Sequence, residues 1–212
     1  MTLHEKVICE TLSTMNAAFV QLNVPLIIRR IRRSDIIWQQ RRARRNLLQP
    51  EKNLLNWQWL FKQYRKNKPR ESGLEQTAYV FCLNNPQQER AAFLLKSCRF
   101  LTGTLEINAL ENFFRKTKGH PLKRNMLYYC LCVTVIYTDI LDVCKLVNKD
   151  SVKFYIKDVV NDDVMRFYLS AAPLSQVLGK MECESTYSLL NEYVNFNFLN
   201  RHYELLKGGF NY

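Results

Sequence analysis

Fourteen of the 31 Lys and Arg residues fall between Arg29 and Arg70, where only two acids, Asp35 and Glu51, stand against them. Outside that window seventeen basic residues meet seventeen acidic ones, so one fifth of the 212 residues carries the whole net charge of +12. A segment of this kind repels itself, and its guanidinium groups cannot be buried without counter-charge. A polyanion is therefore the first partner to consider. Arg41, Arg42, Arg44 and Arg45 have no acidic neighbour in sequence to pair with.

Elsewhere the material for a core is ample. The chain is 47% hydrophobic with only six Gly and six Pro, which suits one large or two small domains and argues against a loop-rich sandwich. The reading is an all-α, multi-helix bundle in one or two helical subdomains. Apolar residues at Leu3, Val7, Ile8, Leu12, Met15, Phe19 and Val20 predict a helix over Leu3–Gln21. Pro25 opens a second helix through Ile27, Ile28 and Ile31, and Ser34-Asp35 caps a third through Ile36, Ile37 and Trp38. A strongly aromatic helix holds Trp57, Trp59 and Tyr64. Further helices are expected at about 74–83, 86–101, 105–116, 122–137, 139–147, 151–160, 162–171 and 184–206. The polar stretch 67–73 carries both Pro69 and Gly73 and divides the chain into a basic unit, 1–70, and a helical core and partner-binding unit, 74–212.

Seven cysteines, an odd number in apolar settings behind a polar first ten residues, point to a reducing cytoplasm. None has the C-x-x-C spacing of a zinc site. The longest apolar run, Met126 to Ile136, is far short of the roughly twenty residues that cross a bilayer, so no membrane partner is expected.

Guanidinium groups fork onto phosphate oxygens and stay charged. The expected nucleic-acid grip is therefore Arg29, Arg30, Arg32, Arg33, Arg41, Arg42, Arg44 and Arg45, extended by Lys62, Arg65, Lys66, Lys68 and Arg70. Trp38, Trp57, Trp59 and Tyr64 lie close enough in sequence to stack on bases, although tryptophans at helical spacing are core residues first. The segment Asp139 to Glu204, with seven basic and ten acidic residues and many Tyr and Phe, is expected to bind a protein partner or a second copy.

Two resemblances point the same way. The order Leu60-Phe61-Lys62-Gln63-Tyr64-Arg65, Lys68-Pro69, Ser72-Gly73-Leu74, then Gln88 and Ala91-Ala92-Phe93 resembles the C subunit of the bacterial flagellar master regulator over Leu54 to Arg115. That family's downstream zinc-binding cysteine cluster is missing. Thr138 to Lys157, with its Asn148-Lys149-Asp150 turn and Ser151-Val152-Lys153, resembles the helix-turn-helix of LuxR-type regulators, although Asp142 and Leu146 depart from that motif. Both resemblances imply helical DNA-binding proteins that act in transcription.

No enzymatic motif stands out. His4, His120 and His202 are far apart, no glycine-rich phosphate loop is present, and Glu182/Glu184 and Asp162/Asp163 read as first-turn helix acids. The function expected from sequence is a non-enzymatic, cofactor-free nucleic-acid-binding protein, with DNA favoured over RNA. An interaction adaptor or inhibitor with a basic docking face is the alternative, and a nuclease with dispersed carboxylates is a third reading.

Overall fold

The apolar stretch Leu74–Leu83 is a strand whose side chains enter two cores in turn: Tyr79 and Phe81 on one face, Ala78, Val80 and Cys82 on the other. A strand buried on both faces has no polar alternation, so its apolar run matches a buried helix as well as it matches a strand. The same holds for Arg90–Arg99, where Leu94 and Cys98 face one core and Phe93 and Leu95 the other. The expected all-α bundle is corrected accordingly: the protein is α/β, built on a mixed sheet.

This computed structural model describes residues 1–45, 55–66, 73–114, 117–157 and 159–208, and for 42–45, 63–66 and 199–208 it describes the helical backbone alone. In chain order the elements are α1 (Leu3–Gln21), β1 (Leu26–Arg30), α2 (Arg33–Arg45), α3 (Trp57–Lys66), β2 (Leu74–Leu83), β3 (Arg90–Arg99), β4 (Thr104–Asn112), α4 (Met126–Val143), β5 (Lys153–Ile156), α5 (Asp162–Ala171), β6 (Ser175–Gln176), β7 (Cys183–Thr186) and α6 (Tyr187–Gly208). Helix α1 covers the range its periodicity predicts, with Thr2 as cap, and Asn161 caps α5 where a helix was expected. Pro25 leads into strand β1 instead of a helix. The expected helical hairpin of Thr138 to Lys157 ends in strand β5, so the helix-turn-helix resemblance is corrected. Helices expected at 86–101 and 105–116 are β3 and β4, which likewise removes the helical layer implied by the flagellar-regulator resemblance. The expected boundary falls at 67–73, of which 67–72 lie outside the described residues.

Among the described residues the sheet has seven strands, ordered β1-β2-β3-β4-β5-β7-β6. The first four pair antiparallel; β4 and β5 run parallel, joined by the crossover helix α4. Helices α1, α4, α5 and α6 contribute to the larger core, and α2 and α3 cover the opposite face around Trp57 and Phe93. Helix α4 is long and apolar enough to cross a bilayer, yet 72% of it is buried, as befits the central helix of a folded core. The expected partner surface 139–204 spends Phe154, Ile156, Met165, Tyr187, Leu190 and Val194 on the chain's own core.

Candidate active site

Strands β4 and β5 pair over only four residues, from Thr104↔Lys153 to Ile107↔Ile156, with one further bond from Lys157 N–H to Ile107 O at 2.9 Å. The pairing ends where β4 carries a bulge. Leu95 faces Ala109 while Lys96 faces Ile107, which leaves Asn108 as the extra residue. A bulge bends and twists its strand, and here it sits at the point of divergence. Asn108–Asn112 stay paired to β3 on one edge, while beyond Lys157 the chain turns to bond Met181 O through Val159 N–H. On the side facing β5, no strand among the described residues pairs with Asn108–Asn112.

The gap is a cavity of about 510 Å³. Its floor is the splayed strand pair, and one wall is the entry to α4, with Leu122, Arg124, Met126 and Leu127. Opposite stand Val164, Phe167 and Tyr168 of α5, and Leu55, Trp59 and Leu60 reach in from α3 and the residues before it. A crevice at the carboxyl ends of parallel strands is where α/β sheets bind ligands.

A few polar groups punctuate this lining. Glu111 is buried, and the indole Nε1–H of Trp57 donates to its carboxylate. Asn112 Nδ2–H donates to Leu122 O at 3.0 Å, tying the end of β4 to the approach to α4. Arg124 holds φ at +65° just before α4, a backbone conformation that costs a non-glycine residue energy and that gathers at functional sites. Lys157 donates to Glu182 at 2.8 Å. Burial first, then nearby Cys130 and Cys183, pushes the Tyr168 phenol above its ordinary value, so it stays protonated at neutral pH. His120, in the loop ahead of α4, stacks on Phe114 at 4.5 Å and accepts the Leu122 N–H, the turn role its Gly119/Pro121 setting implies.

Among the described residues, none of those expected to grip phosphates lines this cleft. Arg29 is bound to Asp35, and Arg30 lies 3.7 Å from Glu5. Arg32, Arg33, Arg41 and Lys62 are exposed. Arg42, Arg44, Arg45, Arg65 and Lys66 belong to α2 and α3, with side chains outside the description, and Lys68 and Arg70 lie outside the described residues. Trp57 is buried and Trp38 packs on Phe113 at 5.2 Å between ring centres, whereas Trp59 reaches the cleft. Sequence reading missed Asn108, Glu111, Arg124 and Tyr168 because they come from separate segments that only the fold unites. The alternation of buried Leu105, Ile107, Ala109 and Glu111 was the available clue to β4.

No protein-family model matches the sequence, and no curated protein matches it. Similar solved structures include the spermidine N-acetyltransferase of Vibrio cholerae in complex with CoA and spermine, at 14% identity, 78% of this chain and 98% of that one, with a TM-score of 0.47. A mutant AtaT toxin bound to the C-terminus of the antitoxin AtaR and acetyl-CoA gives 11%, 78%, 96% and 0.45. The apo form of FdhC, a nucleotide-linked sugar GNAT, gives 11%, 79%, 90% and 0.48. At TM-scores below 0.5 the functional reading rests on the cleft and not on these likenesses. The expectation of a non-enzymatic DNA-binding regulator is corrected on the fold: its recognition helix is strand β5, and a built cleft is present. The expected nucleic-acid partner is corrected with it.

Proposed function

We propose that the cleft binds an acyl thioester of coenzyme A and that the protein transfers the acyl group to an amine. The observation that carries this reading is the edge of β4 beyond its bulge, which on the β5 side no strand among the described residues joins and which faces an apolar cavity that ends at the entry to α4. Backbone N–H and C=O groups along such an edge take an extended, amide-bearing ligand as they would take a further strand. The donor arm of coenzyme A is a ligand of that kind. The amino end of α4, an 18-residue helix, and Arg124 beside it supply the positive field that a diphosphate requires.

In the transfer the amine nitrogen attacks the thioester carbonyl carbon, so a C–N bond forms and the C–S bond breaks. Glu111 receives the proton that the nitrogen loses. The Tyr168 phenol in the wall of the cleft gives one to the departing thiolate. All seven cysteines are free, and we assign the protein to a reducing cytoplasm.

Calorimetric titration with acetyl-CoA tests this directly. Micromolar binding is expected, with loss of binding when Val164→Trp fills the wall of the cleft. Thiol release on adding amines should follow. Absence of acetyl-CoA binding at millimolar concentration by the folded wild-type chain overturns the reading.

A further inference from the structure

Three large apolar side chains stand exposed around the mouth of the cleft: Trp59 of α3 at 56%, Val160 after β5 at 52% and Phe167 of α5 at 45%. All three also line the cavity. Scattered exposed hydrophobics need no explanation, but several gathered at one opening mark a ligand groove. Leu55 and Leu60 add to the apolar lining of the same cavity, which Glu111 also lines.

We infer that the acyl acceptor is a monoamine carried on an apolar, aromatic-sized body, seated by Trp59, Val160 and Phe167 with its nitrogen toward Glu111. This deepens the acyl-transfer reading and rests on it. The apolar rim removes the body from water, and an indole face also attracts an ammonium. Charge narrows the class further. A single ammonium meets the Glu111 carboxylate, whereas each additional ammonium on the acceptor would have to give up water against the apolar rim of Trp59, Val160 and Phe167 without a partner. A polyamine is therefore opposed by the rim that seats an apolar body.

The experiment compares 2-phenylethylamine with spermidine as acceptors for the full chain at saturating acetyl-CoA. Acetyl-CoA binding is measured separately by calorimetry. A preference of about tenfold or more in kcat/KM for phenylethylamine is expected. Trp59→Ser and Phe167→Ser should each raise its KM several-fold while moving kcat less. Equal or better use of spermidine, or an unchanged KM in both variants, overturns the assignment while the acyl-transfer reading stands. If acetyl-CoA does not bind, direct titration with phenylethylamine decides the seat. Binding weakened by Trp59→Ser then supports it, and no binding removes it.

Discussion

The Arg29 guanidinium holds the Asp35 carboxylate through two hydrogen bonds of 2.8 and 2.9 Å. Arg90 Nε–H adds a third at 2.6 Å from β3, and the Arg32 backbone N–H a fourth at 2.7 Å. The Asp35 side chain is fully buried. One acid in the basic window thus ties β1, the start of α2 and β3 together. Arg29 acts here as a structural ion-pair partner, which a count of charges along the sequence could not reveal.

Removing that carboxylate leaves two arginines without their shared partner. Asp35→Ala is expected to lower stability by about 3–5 kcal/mol, read from the urea midpoint. Burial pushes the Asp35 pKa up, but the bonds from Arg29, Arg32 and Arg90 outweigh it, and the net direction is down. With the folded value below the unfolded one, the stabilisation is present above the unfolded pKa and lost as pH falls through the folded value. Wild type should lose stability below about pH 4 more steeply than Asp35→Asn.

Lys96 is buried with its Nζ 3.3 Å from the centre of the Tyr137 ring, and burial pushes its pKa down to about 7. Between that value and the ordinary 10.5 the unfolded chain binds a proton that the folded chain does not. Stability should therefore rise with pH across this window and be lowest below it. Lys96→Met, which keeps the length of the stem, should add about 2–4 kcal/mol at pH 7 and flatten the profile. Denaturant titrations from pH 6 to 10 check both.

Trp57→Phe removes the indole N–H that donates to the buried Glu111 carboxylate. A loss of about 1–3 kcal/mol is expected, read from the urea midpoint.

Tyr168→Phe keeps the ring and deletes the proton donor. A fall of about a hundredfold in kcat, with little change in the KM for acetyl-CoA, is expected from steady-state thiol release.

Local signals were legible in the sequence where an element has one polar and one apolar face or a clear cap. Helix α1 shows its period and α2 its first-turn Asp35. Strands β2 and β3 hid because both of their faces are buried. Glu111 hid because a carboxylate becomes a site only when Trp57, more than fifty residues away, closes over it.

By itself the chain determined where its charge lies, that an ample core would form around the apolar Met126–Ile136 run, and the extent of its N-terminal helix, since each depends on neighbours along the backbone. Tertiary structure alone decided that the middle third pairs as strands, that Asn108 bulges, and that β4 and β5 part to open a cleft. Those outcomes depend on which distant segments share an edge or a face, and pairing of that kind is a property of the assembled sheet; the alternation along β4 marks a strand but not its partners.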